Sequence, residues 1–181
     1  MINMTCNNCP LAVYNNFEQV KPRGDINSKL FIIGEAPGYK ERKEGFVFVG
    51  KAGLYLEKHL NKAGLTDFCY LTNVIKCRPP KNRTPKWNEL HACRPNLIDE
   101  IKRGKPKIIL LLGNTAVNAF FNKEVNNITK LHNKGIIVNK TVILFGVHPS
   151  HIIENDNYEY MYDKLFNKVR LLYKLLINKY I

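Results

Sequence analysis

The sequence predicts an α/β protein, a single domain over residues 1–181 in three α/β/α layers around a central, mostly parallel, four-stranded sheet. Two observations predict it. Short apolar runs bounded by Gly, Pro or charged residues alternate with longer amphipathic stretches, the pattern of strands joined by crossover helices. Polar clusters also follow three of the runs, and in a doubly wound sheet chemistry gathers beyond the strand ends.

The strands are expected at Leu30 to Ile33, Tyr70 to Ile75, Ile108 to Leu112 and Val142 to Phe145. Each is short enough to be buried on both faces. Between the first two, GKAGLYLEKHLNKAGL puts Leu54, Leu56, His59, Leu60 and Ala63 at helical spacing and stops near Gly64. WNELHACRPNLIDEIKRG forms a second helix that ends at Gly104, and Asn114 is placed to cap a short helix through Phe120. The Asn-rich NNITKLHNKG reads as loop. From Tyr158 to Asn178, Met161, Leu165, Val169, Leu172 and Leu176 recur at helical spacing, giving a helix that covers the core.

With 28 Lys and Arg against 15 Asp and Glu, the formal net charge is +13, which points to a polyanionic partner. Nucleic acid is the first candidate, although an Asn-, Lys- and Ile-rich composition can also reflect an A/T-rich coding genome. No window approaches the roughly 18 to 20 apolar residues of a membrane span, and MINMTCNNCP lacks the regions of a signal peptide. The expectation is a soluble, intracellular protein with no membrane partner, in a reducing compartment and monomeric. Five cysteines in that setting argue for metal or reduced thiols rather than a disulfide framework.

The clusters at the strand ends are GEAPG at 34–38, the TN of YLTNVIKC, and HPS after VILFGV. Glu35, Asn73 and His148 would then face one crevice although they are far apart in sequence. Each cluster alone is ordinary turn chemistry; three on one rim point to a ligand. Gly45 to Lys51 has the Gly and Lys spacing of a phosphate-binding loop, but Ala52 stands where a magnesium-binding hydroxyl belongs. Bulky Phe46, Val47, Phe48 and Val49 would also keep phosphate from the backbone. Cys6 and Cys9 form a C-x2-C pair, while Cys77 and Cys93 are fifteen residues apart in the intervening sequence. Four thiolates suit one metal site, either zinc or an iron–sulfur cluster, without the second C-x2-C of a zinc ribbon. Cys69 reads as a small buried hydrophobe.

GEAPG, FVGKAG, LTNVIKCRPPKNRTP with a cysteine at 93, LLLGNTA and HPS, in that order, resemble the family 4 uracil-DNA glycosylases, the iron–sulfur branch of their superfamily. The likeness runs from Cys6 to about Ile153. It implies a 4Fe-4S cluster on Cys6, Cys9, Cys77 and Cys93, and DNA repair by excision of uracil from DNA to leave an abasic site.

The resemblance also implies roles. Asn73 would read uracil, since one fixed carboxamide can donate to O4 and accept from N3–H, whereas cytosine reverses both groups. Phe48 would stack on the base. His148 would donate to O2 as negative charge grows there, and Glu35 would either position water or shape the pocket near the uracil 5-position. Other branches place an Asp where Ala36 stands. Ser150 and the backbone at Gly34 and Gly38 would hold phosphate, and Ile152 or Ile153 would wedge into the stack vacated by a flipped base. Many relatives carry an arginine shortly after HPS, where this chain has Glu154. The competing reading is a non-catalytic nucleic-acid-binding protein on the same fold, with the cluster serving structure alone.

Overall fold

The computed structural model describes residues 6, 9–153 and 159–177. Four apolar runs form parallel strands: β1 (Leu30–Gly34), β2 (Cys69–Asn73), β3 (Ile108–Leu112) and β5 (Thr141–Gly146). Every residue of β1, β2 and β3 is buried, as expected for strands covered on both faces. Each fully buried Ile or Leu among them stabilises the fold by about 1.5 to 3 kcal/mol.

The sheet has five strands, not four, in the order β2-β1-β3-β5-β4. The added strand, β4 (Gly135–Val138), runs antiparallel to β5 at the edge and is exposed throughout. A two-residue turn joins the pair, with Asn139 and Lys140 both at positive φ, the geometry of a type I′ hairpin. That turn carries Asn-Lys rather than Asn-Gly, so its signal is weak, and the apolar run before it, Ile136 to Val138, is only three residues long.

The helices are α1 (Pro10–Tyr14), α2 (Tyr39–Glu44), α3 (Lys51–Ala63), α4 (Trp87–Gly104), α5 (Asn114–Phe121), α6 (Ile128–Leu131), α7 (Pro149–Ile153) and α8 (Glu159–Ile177). Helix α3 ends at Gly64 in the left-handed region and buries Leu56, His59, Leu60 and Ala63. Leu54, expected on the same face, is 58% exposed. The short α6 interrupts the expected Asn-rich loop. Asn114 is the first residue of α5 rather than its cap, and its side chain accepts from the Ile128 N–H at 2.8 Å, tying α5 to α6.

Helix α8 buries Tyr162, Leu165, Phe166 and Val169. The Tyr162 hydroxyl donates to the Val147 carbonyl at 2.7 Å, which fastens α8 to the segment leading into α7. Tyr158 and Asn178, the expected limits of this helix, lie outside the described residues, as does Glu154. Among the described residues, no helix is long and apolar enough to cross a membrane.

Candidate active site

The C-terminal ends of β1, β2 and β5 open on one cleft of about 730 Å³, whose lining includes Glu35, Gly38, Phe48, Asn73, His148 and Ser150. The three motifs that the sequence placed on a common rim therefore meet. Parallel strand register brings them there: Gly34 pairs with Asn73 across β1 and β2, so the residues that follow β1 and end β2 emerge side by side.

Asn73 is buried, and its position is set from beneath by a polar group that the sequence did not reveal. Lys76 is 4% exposed; its Nζ donates to the Asn73 carbonyl at 2.8 Å, to Thr72 Oγ1 at 2.7 Å and to Glu100 Oε2 at 2.8 Å. Thr72 Oγ1 in turn donates to Glu100 Oε2 at 2.9 Å. A buried lysine paired this way resists rearrangement, because moving either partner leaves a charge unsatisfied out of water. Helical periodicity in α4 and the single basic residue in NVIKC give no sign that Glu100 and Lys76 point at each other.

Phe48 sits with φ at 55°, a conformation that costs energy for a bulky residue and that other contacts must enforce. Arg23 Nη1 donates to its carbonyl at 3.0 Å, and Arg23 is paired with Glu57 at 3.4 Å. Gly53 packs beneath the same turn, where an added Cβ would lie 2.0 Å from the Phe48 oxygen. Gly34 lies under the ring: a Cβ there would meet the Asn73 Oδ1 at 2.5 Å and Phe48 Cζ at 2.6 Å. Gly34 is thus a buried spacer that lets Asn73 and Phe48 close on each other, rather than a surface that reaches phosphate.

Gly38 is also differently employed. Its N–H donates to Glu41 Oε2 at 3.1 Å, and the same carboxylate accepts from the Gly50 N–H at 2.7 Å. Glu41, in the first turn of α2, therefore takes the amides that open both α2 and α3, and Gly38 has no N–H left for phosphate.

His148 is held by Ser150. The Ser150 hydroxyl lies 2.8 Å from Nδ1, and the Ser150 N–H approaches the same nitrogen at 3.4 Å. A backbone N–H can only donate, so Nδ1 is the acceptor and the ring proton of the neutral imidazole is assigned to Nε2. Burial, helped by His151 and opposed by Glu41, pushes the His148 pKa down to about 4. At neutral pH the ring is uncharged and offers one N–H. Glu35 is half-buried, and burial raises its carboxyl above the usual range, with a hydrogen bond from Thr115 opposing. Its position joins the cleft to a second, polar hollow that includes Asn114, Thr115 and Asn118.

The two wedge candidates separate. Ile152 is 2% exposed and packs into the core, whereas Ile153 is 38% exposed. The periodicity of a five-residue helix is too short to show which of two adjacent isoleucines faces inward.

Four cysteines converge at one end of the molecule. Cys6 and Cys9 share a turn closed by the Cys9 N–H to the Cys6 carbonyl at 3.1 Å, Cys77 follows β2, and Cys93 lies on α4. All four line one small hollow together with Leu11, Ala12, Gln19, Ile75 and Ala92. Among the described residues, no three His, Cys, Asp or Glu side chains are grouped to hold a metal ion as they stand. The donor chemistry nonetheless fits a thiolate-bound group. Gln19 Nε2 donates to Cys6 Sγ at 3.1 Å and Asn96 Nδ2 to Cys93 Sγ at 3.7 Å, the polarity that sulfur anions require. Burial pushes the Cys77 thiol up to about 12, and the neighbouring Cys93, Cys9 and Cys6 add to the shift, which places the four sulfurs close enough to act on one another. Cys69 is apart from them, buried, with its Sγ donating to the Thr66 carbonyl at 3.4 Å.

A family model described as the uracil DNA glycosylase superfamily matches residues 21–170. A type-4 uracil-DNA glycosylase of Thermotoga maritima is 37% identical over 157 residues, covering 85% of this chain and 81% of that protein. The chain belongs to the uracil-DNA glycosylase superfamily, in its type-4 family. A second type-4 uracil-DNA glycosylase, from Sulfurisphaera tokodaii, is 36% identical over 93% of this chain and 80% of its own. A type-5 uracil-DNA glycosylase from Pyrobaculum aerophilum is 30% identical over 81% of this chain and 74% of its own. Glu35, Phe48, Asn73, Cys77, Cys93 and His148 all fall within the superfamily match, while Cys6 and Cys9 precede it.

Proposed function

We propose that this chain repairs DNA by hydrolysing the N-glycosidic bond of uracil, leaving an abasic site, and that it acts as a monomeric, single three-layer domain in a reducing, intracellular setting. The observation that carries the reading is the convergence of Glu35, Phe48, Asn73 and His148 on one cleft at the strand ends. Family membership supplies the substrate class.

A uracil flipped from the strand would lie on the Phe48 ring, with the Asn73 amide donating to O4 and accepting from N3–H. The Lys76 and Glu100 contacts hold the Asn73 backbone, so the amide is aimed before the base arrives. As the bond between C1′ and N1 breaks, its electron pair leaves with the base and spreads to O2. The neutral His148 Nε2–H donates to that oxygen, and the bond strengthens as charge grows. Ser150 acts through His148 by fixing the tautomer. Water attacks C1′ and passes its proton to Glu35, whose carboxylate burial makes a stronger base than an exposed one. The exposed Ile153 is the residue positioned to fill the vacated stack.

Cys6, Cys9, Cys77 and Cys93 would hold a 4Fe-4S cluster, which supplies a cross-link between the N-terminal turn, the segment after β2 and α4. Protein purified without oxygen should contain about four irons per chain and absorb visible light. Cys77→Ala or Cys93→Ala should remove that absorption and lower soluble yield, and Cys69→Ala should do neither; stoichiometric zinc without iron would contradict the assignment. The activity itself is tested on an oligonucleotide carrying one uracil, with alkali cleavage reporting the abasic product. Tight binding with no cleavage would favour the non-catalytic alternative.

A further inference from the structure

Beside the base cleft, the chain shows an exposed row that the excision chemistry does not use. Tyr39, the first residue of α2, lines the cleft and is 65% exposed. The Arg78 guanidinium lies 5.2 Å from the centre of its ring. One turn along α2 from Tyr39, Arg42 lies 6.0 Å from the ring centre of Tyr14, which is 49% exposed on α1. Residues three apart share a helix face, so the two aromatic and cation pairs form one line leading away from the cleft.

Three features separate this row from ordinary surface packing. Both rings leave about half or more of their surface to solvent although each has a cation beside it. Among the described residues neither Arg42 nor Arg78 makes an ion pair with a carboxylate. The loop behind Arg78 is also strained, with Lys81 and Asn82 both at positive φ, and Asn82 Oδ1 accepts from Arg78 Nε at 2.7 Å, which sets the guanidinium against Tyr39.

We propose that Tyr39 and Tyr14 are successive stacking platforms for unpaired bases of the strand that carries the target, with Arg78 and Arg42 taking its phosphates. Exposed aromatic rings alternating with cations that no carboxylate pairs suit single-stranded nucleic acid, because every base offers a π-face and each step brings one negative charge. A duplex keeps its bases stacked on one another and has no face to offer. This inference rests on the proposed base pocket only for where the row begins. The Asn15 side chain links the Tyr14 end to the loop of Arg78, donating to the Leu11 carbonyl at 2.7 Å and the Arg78 carbonyl at 3.0 Å. The platform is therefore anchored to the same corner that carries the four cysteines.

The test uses the full chain and fluorescently labelled, uracil-free oligothymidylate, read by anisotropy, so that it does not depend on excision. Tyr39→Ala should weaken binding to single strands by about fivefold or more, and Tyr39→Phe should retain it. Tyr39→Leu, which keeps apolar bulk without a π-face, should behave like the alanine variant. Tyr14→Ala should matter only for oligonucleotides long enough to pass Tyr39, and all variants should keep the wild-type melting temperature within a few degrees. Wild-type affinity in both alanine variants would overturn the proposal, as would wild-type affinity in Tyr39→Leu or an equal loss on duplex. A wild-type chain that shows the expected binding pattern but leaves uracil in place would sink the excision reading and leave this one standing. Normal excision with binding unchanged in the variants would do the reverse.

Discussion

Two histidines of this chain, His148 and His59, are both held below their ordinary pKa by burial, yet they sit in regions of opposite character. His148 lines an open cleft, with Nδ1 engaged by Ser150 and the Nε2–H left for a ligand. His59 lies in the seam between α3 and α8, 1% exposed, with Nδ1 3.0 Å from Asp163 and its ring packed among Tyr55, Tyr162 and Phe166. Its Nε2 is buried without a hydrogen-bond partner. A depressed pKa therefore does not by itself mark a catalytic group. What distinguishes His148 is access: one nitrogen fixed by the protein and the other facing space that a substrate can enter.

Exchanging each ring for alanine sharpens that contrast most. His148→Ala should slow single-turnover excision by about 10² to 10³, the usual scale for losing an oxyanion donor, with little change in DNA affinity or melting temperature. His59→Ala should show the opposite pattern. It opens a cavity and frees Asp163 from one of its two partners, so thermal unfolding should move down by several degrees while the excision rate at a permissive temperature stays near wild type. Equal losses of rate in the two variants would erase the distinction drawn between them.

Asn73 and Glu35 extend the comparison within the cleft. Asn73→Ala should cut uracil excision by tenfold or more, on the scale of about 1 to 3 kcal/mol for a buried polar group left unmatched. Asn73→Asp should shift the ratio of cytosine to uracil excision upward, since a protonated carboxyl can donate to cytosine N3 and accept from its amino group. A smaller effect is expected from Glu35→Gln. Wild-type activity should fall as pH drops through the raised Glu35 pKa, because the base must be ionised, and the acid limb should vanish from the residual activity of the variant. For stability the sign is reversed. A carboxyl whose folded pKa is raised costs stability as pH climbs from its unfolded value through the folded one, so Glu35→Gln should melt higher than wild type at neutral pH.

His59 gives a further pH check. Its folded pKa is lowered, so protons prefer the unfolded chain and wild-type stability should fall as pH drops below about 6.5. In His59→Gln that contribution to the fall should be missing, whereas a wild-type fall of the same size in the variant would assign it to other groups.

The parts of this architecture that were legible in the sequence are those where burial leaves a periodic trace. The four parallel strands announce themselves as bare apolar runs, and the cleft follows from motifs at three of their ends. The edge strand β4 was not legible, because it is exposed and its turn lacks glycine. Contacts that depend on two distant side chains left no local trace either. Nothing in GEAPG shows that the amide of Gly38 is claimed by Glu41, or that Gly34 lies beneath the Phe48 ring. The pairing of Lys76 with Glu100 under Asn73, and of Ser150 with His148, likewise requires the folded chain. Motifs at the strand ends led to Glu35, Asn73 and His148, which line one cleft; the contacts around each one required the folded chain.

Excision of uracil in this cleft, with His148 assisting departure of the base, can be checked by single-turnover cleavage of a single-stranded oligonucleotide bearing one uracil, comparing wild type with His148→Ala under conditions where both are saturated with DNA. Alkali-labile product is expected from the wild type, none from the same oligonucleotide carrying thymine, and a first-order rate in the variant lower by about 10² or more. Equal rates in the two proteins, or no product from an iron-loaded, DNA-binding wild type, would contradict it.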